Sequence, residues 1–272
     1  MSEERTLLDM LLQEPARTPY DLEGHIFGVP WRIHWHFWPL AVLLGIQPIS
    51  MSGEGFGWKL QFMLIWVACV LVSIMLHELG HVWAGMSFGR RSHIVLYSFG
   101  GLAVGAGEVP RSWQRIIVFL AGPAAQFALC GVLKAVLWKF PQEHWQQTAQ
   151  LTVDCIFWIN LIWAALNLLP IFPLDGGQVS LEIWNWFSPN NGLRYAMIMS
   201  IATALLLTVN SIAESFQHPI LPWIPTGGGY TVILYLCLAG ENYLMLRRIG
   251  DSEYYREEPR APWERDPDFW KQ

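Results

Sequence analysis

"IMLHELGHVW", residues 74–83, ends a long apolar run with two histidines and a glutamate. An ionisable group at mid-bilayer depth costs roughly 2.5–3.5 kcal/mol on insertion scales, so such groups are rare and mark function. His77 and His81 are four residues apart, which on a helix puts both imidazoles on one face, one turn apart. That geometry lets them share a single metal ion. Glu78, next to the first histidine, is placed to act as general base toward water activated by that metal. A catalytic zinc would take a third protein ligand and keep its fourth position open.

The surrounding sequence fixes the setting. Of the 272 residues, 53% are hydrophobic and 14% charged, against about a quarter charged in a soluble domain. The charge is clustered in residues 1–32 and 247–272, and the middle is apolar with short polar breaks. This is the pattern of a polytopic membrane protein. Apolar segments near 33–49, 59–85, 114–138, 151–171, 195–213 and 229–246 predict about six transmembrane helices. The first contains Pro39 and starts in "WRIHWHFW", a tryptophan-rich stretch suited to the membrane interface. No signal-peptide layout precedes it, so the first span is expected to direct its own insertion. No internal repeat supports an inverted-repeat transporter. The net charge of −5 comes mostly from the tails and gives no case for nucleic-acid binding. The four cysteines lie in apolar stretches without a C-x-x-C pair, so they read as packing residues.

Arginines orient the spans. Arg17 and Arg32 precede the first, and Arg90, Arg91, Arg111 and Arg115 flank the loop after the second. Arg194 precedes the fifth, and Arg247 and Arg248 follow the sixth. The alternate loops offer only Lys59 and Lys139 near span ends. Both termini are therefore expected in the cytoplasm, with "HELGH" toward the cytoplasmic side.

Few carboxylates could complete a metal site at this depth: Asp154, Asp175, Glu182, Glu214 and Glu241. Asp154 and Glu214 fall toward the opposite side, and Glu241 is better placed to pair with Arg247 or Arg248. Asp175 stands apart in "NLLPIFPLDGGQ", where Pro170 and Pro173 remove backbone donors and Gly176 and Gly177 loosen the chain. Irregular backbone at this depth is tolerated inside protein or beside a watery cavity. A plain span-ending turn with a solvated aspartate is the alternative.

Together, "HELGH" and the later "NLLPIFPLDGG" resemble the site-2 protease family of intramembrane zinc metalloproteases, whose pattern is H-E-x-x-H on one span and N-x-x-P…L-D-G on another. The resemblance covers the central three spans. It implies one zinc per chain held by His77, His81 and Asp175, with Glu78 as catalytic base and Asn167 holding the substrate or its developing oxyanion. "YSFGGLAVGAGE", 97–108, resembles the family's re-entrant hairpin between the second and third spans, whose strand edge can pair with an unwound substrate. Gly100 and Gly101 would allow that close backbone approach. "AGPAAQ", 121–126, resembles G-P-x-x-N, with Gln126 where asparagine is usual. His34 and His36 read as interface residues.

The expected architecture is an α-helical polytopic membrane protein with a small re-entrant β-hairpin. Residues 1–32 would form a cytoplasmic N-terminal segment, 33–248 the transmembrane metalloprotease domain, and 249–272 a short cytoplasmic tail. That tail is too small for an appended sensing domain, so regulation would come through membrane partners or the bilayer. The expected substrates are single-span membrane proteins or peptides, and the expected location is the cell membrane. Two other readings remain, a non-catalytic zinc-containing membrane binding protein and a metal-ion transporter. Glu78 argues against the first, and the scarcity of polar residues along the other spans argues against the second.

Overall fold

The computed structural model describes residues 14–50, 55–98, 100–140, 145–221 and 229–257. The chain divides into two units, Met1–Gly192 and Leu193–Gln272. In the first, two strands, β1 (Leu22–Ile26) and β2 (Val29–Ile33), precede helices α1 (Phe37–Ser50) and α2 (Phe56–Ser87). Strands β3 (His93–Tyr97) and β4 (Gly100–Val104) follow, then α3 (Ser112–Lys139), α4 (Gln147–Asn167) and α5 (Asp175–Phe187). Helix α6 (Gly192–Ser215) starts at the division, and α7 (Gly229–Glu257) completes the second unit.

The helices follow from the solvent the sequence implies. In hydrocarbon every backbone donor and acceptor must find a partner within the segment, so even the β-branched residues of "LIWVACVLVSIML" wind into a helix. Helix α2 has 32 residues, about 48 Å at 1.5 Å per residue, more than the ~30 Å hydrocarbon core. It stops where Gly89 takes a positive φ of 82° and Arg90 N–H turns back to Gly85 O at 3.0 Å. Among the described residues, α2, α3, α4 and α6 are long and apolar enough to cross a membrane.

The four strands form one sheet in the order β1-β2-β3-β4. The β1–β2 and β3–β4 pairs are antiparallel, while β2 and β3 run parallel, with Trp31 opposite Ile94 and Ile33 opposite Leu96. A parallel pair needs a long crossover, and here α1 and α2 supply it. The sheet packs on α2 through Val29, Ile33, Ile74, Val82, Ile94 and Leu96, all buried.

Two expectations change. The segment 33–49 was read as one apolar span, but Ile33 belongs to a strand and α1 has only 14 residues, about 21 Å. Pairing with β3 draws the start of the segment into the sheet, which a hydropathy window cannot register. The hairpin was expected over 97–108, whereas its strands are His93–Tyr97 and Gly100–Val104. It is also half of a larger sheet, because Leu22–Ile33 supplies two more strands.

Arg32, 4% exposed, anchors the N-terminal segment to this sheet. It donates to Asp21 Oδ2 at 2.8 Å, Glu14 Oε1 at 2.7 Å and Pro15 O at 2.8 Å. In the second unit, α6 buries Ser200, Thr208 and Ser211. Each hydroxyl donates to the carbonyl four residues earlier, so these groups are satisfied within their own helix.

Candidate metal centre

His77 and His81 are one turn apart on α2, and both are buried. Asp175 opens α5, where the positive end of the helix dipole favours a carboxylate. Gly176 and Gly177 bring it in: a β-carbon on Gly176 would fall on the carbonyls of Leu168 and Leu169, and one on Gly177 on the backbone of Ile171 and Phe172. The helix start can therefore press against the preceding turn.

The three side chains converge. His77 Nε2 is 3.0 Å from His81 Nε2, and the Asp175 oxygens lie 3.1 Å from the first and 3.4 Å from the second. One ligand atom from each lies within 4.8 Å of the others. Gly122 on α3 gives them room, since a β-carbon there would overlap His81 Nε2 and the Cε1 atoms of both rings. One turn of α2 along, Gly80 meets Ala121 O and Gly122 in the same way. Small residues thus let α2 and α3 cross closely.

The outer ring nitrogens are also engaged. His81 Nδ1 lies 2.7 Å from Val118 O and His77 Nδ1 2.9 Å from Gln126 Oε1. Asp175 Oδ2 is buried yet has no hydrogen-bond partner among the described residues. Two imidazole nitrogens and a carboxylate oxygen left without a donor form the donor set of a three-ligand zinc site. The residues fit the metal.

Glu78, 5% exposed, faces the sheet. Its carboxylate packs on Gly101, where a β-carbon would collide with it. Gly100, at φ 118°, packs on the Trp163 ring of α4. The structure thus gathers His77, Glu78, His81, Asp175 and Gly101. Asn167 is at the C-terminal end of α4, its amide donating to Trp163 O at 3.0 Å. Glu182, one of the carboxylates considered as a ligand, instead accepts a two-pronged bond from Arg115, at 2.6 and 2.7 Å. Arg115 also donates to Val109 O, Pro110 O and Ser112 Oγ, tying the start of α3 to α5. Asp154 is exposed.

Sequence reading missed Gly122 and Arg115. The available signal for Gly122 was its place in "AGPAAQ", a cluster of small residues on an apolar helix. Arg115 gave no signal beyond its contribution to topology.

Comparison with known proteins supplies the family context. The sequence model of peptidase family M50 matches residues 65–153 and 136–209. A putative zinc metalloprotease of Synechocystis sp. is 29% identical over 242 residues, covering 84% of this chain and 58% of the relative. A zinc metalloprotease of Methanocaldococcus jannaschii is 29% identical over 155 residues, covering 57% of this chain and 42% of the relative. The chain spans about half the length of these curated relatives. Among solved structures, the site-2 protease from Methanocaldococcus jannaschii aligns with a TM-score of 0.53 at 20% identity. The alignment covers 84% of this chain and 95% of that one.

Proposed function

The chain belongs to peptidase family M50, and on that premise we propose that it is a multi-pass membrane zinc protease that hydrolyses peptide bonds within or near transmembrane segments. The observation that carries the reading is the convergence of His77, His81 and Asp175 beside Glu78 on a membrane-length helix. In this reading those three residues hold one zinc per chain. Zinc there supplies Lewis acidity, making water more acidic and a carbonyl more electrophilic.

The chain's own residues do the rest. Glu78 Oε takes a proton from the attacking water and delivers it to the leaving amine nitrogen as the C–N bond breaks. The flat face of Gly101 holds that carboxylate still. Among the described residues strand β4 is last in the sheet order, and its outer edge receives the added strand. A substrate helix hides its scissile carbonyls in its own hydrogen bonds and must unwind first, and pairing with β4 replaces the bonds it loses. Gly100 and Gly101 leave that edge low. Asn167 donates to the developing oxyanion once its amide turns from Trp163 O, a contribution worth about a hundredfold or more where such donors have been removed.

The finer architecture is part of the same proposal. Residues 1–32 and 249–272 are cytoplasmic, and 33–248 is the membrane domain with six crossings. The arginine distribution and the four long apolar helices support this, while α1 completes a crossing only with its flanks or a locally thinned bilayer. Substrates are single-span proteins or peptides, the location is the cell membrane, and control comes through a membrane partner or the bilayer. Reconstitution with a single-span peptide, with products sized by mass spectrometry, tests the activity. Cuts inside or beside the apolar stretch are expected; cuts confined to soluble tails would contradict it.

A further inference from the structure

His81 is oriented by a backbone carbonyl, Val118 O. His77 is oriented by a side chain, Gln126, which is fully buried. Gln126 Oε1 lies 2.9 Å from His77 Nδ1, and Gln126 Nε2 lies 3.4 Å from Ser73 O. Ser73 O is one turn before His77 on the same helix. We infer that Ser73 and Gln126 are positioning residues that hold His77 as the Nδ1–H tautomer, so that its Nε2 lone pair faces the metal centre. The inference rests on the reading of His77 as a zinc ligand.

A carbonyl oxygen only accepts, so the amide of Gln126 must turn its NH2 toward Ser73. Its oxygen then faces His77, and an oxygen there requires a hydrogen on Nδ1. A neutral imidazole protonated on Nδ1 carries its lone pair on Nε2. The flipped amide would set two oxygens against each other across the Ser73 contact. It would also aim an N–H at Nδ1, forcing the ring hydrogen onto Nε2, 3.0 Å from His81 Nε2. That hydrogen would occupy the direction in which the ring must ligate. With no exposed face, Gln126 has no solvent to relieve the mismatch. Asn160 on α4 donates from Nδ2 to the Ser73 hydroxyl at 2.8 Å and to Ile156 O at 2.7 Å. Neither bond involves His77.

The test compares wild type with Gln126→Met, Gln126→Glu and Asn160→Leu. The first readout is 15N NMR of histidine-labelled protein, with His77 assigned by its loss in His77→Gln. The second is zinc affinity by chelator competition. Wild type should carry the His77 proton on Nδ1. Gln126→Met should lose that preference and bind zinc about 10–100-fold more weakly, the usual cost of removing a ligand's orienting partner. Gln126→Glu keeps the acceptor toward Nδ1 but loses the donor toward Ser73 O, so its affinity should fall between wild type and Gln126→Met, whereas Asn160→Leu should leave it unchanged. A purely packing role would make the methionine and leucine variants alike. A wild-type His77 protonated on Nε2, or a Gln126→Met variant with full affinity, would overturn the inference. The spectrum of zinc-free wild type, where no metal on Nε2 fixes the proton, decides even if Gln126→Met does not fold. Neither readout involves peptide cleavage, so failure of the protease reading alone would alter neither.

Discussion

Glu78 and Gly101 lie against each other so closely that a β-carbon at residue 101 would fall on the Glu78 carboxylate. The proposed base is thus positioned by the absence of a side chain on the strand beside it. Gly101→Ala must shift the carboxylate or the strand, at a cost of about 1–3 kcal/mol for overpacking. Peptide cleavage should fall roughly 5- to 150-fold, one decade per 1.4 kcal/mol of lost positioning, while zinc content stays at one per chain. Unchanged cleavage by Gly101→Ala would show that Glu78 needs no such wall.

Asp175 should be indispensable for metal binding. Its Oδ2 is buried with no hydrogen-bond partner among the described residues, and its two oxygens face the two histidines, Oδ2 toward His77 and Oδ1 toward His81. Asp175→Ala should lower zinc per chain well below one in metal analysis of purified protein. Full zinc occupancy in that variant would remove Asp175 from the site.

The Arg115–Glu182 pair should matter for stability and, through α5, for the placement of Asp175. Glu182 is 9% exposed and Arg115 29%, so the pair is not a freely solvated surface contact. Glu182→Gln weakens two charge-assisted bonds, each worth about 1.5–3 kcal/mol. Thermal unfolding in detergent should come at lower temperature than for wild type, with weaker zinc retention under chelator. Equal unfolding temperatures would show that the pair contributes nothing.

Asp21 gives a pH dependence of known sign. Burial pushes its carboxyl up, but hydrogen bonds from Thr18 and Arg32 outweigh that and hold it at about 2, below the ordinary 3.8. Its stabilisation is therefore complete above the ordinary value and lost as pH falls through about 2. Asp21→Asn should be less stable than wild type at neutral pH, with the difference closing between pH 4 and 2. A gap that persists unchanged at the acid end would assign the effect to something other than the charge.

The sequence made part of this site legible and hid the rest for identifiable reasons. The i, i+4 histidines and the proline-flanked Asp175 were readable because ionisable groups and broken helices are conspicuous against an apolar background. The sheet was half readable. The resemblance of 97–108 to the family's hairpin suggested two strands, but the partner strand Val29–Ile33 lies some sixty residues before β3 and pairs with it in parallel. Local pattern cannot predict such a non-local pairing. Gly122 gave only the weak signal of a small-residue cluster, because its role is to lack a side chain where two helices cross, and hydropathy does not distinguish that from filler. Gln126 was visible only as a departure from asparagine, and its meaning depends on a carbonyl of another helix.

The central claim is that Glu78 moves the proton at a zinc centre held by other residues. Its most direct test is Glu78→Gln, which keeps the shape but cannot take the proton. Wild type and variant would be reconstituted with one single-span substrate, with zinc content and cleavage measured on the same preparations. One zinc per chain in both, with cleavage by wild type alone, is the predicted result. Cleavage by the zinc-loaded variant at near the wild-type rate would contradict it.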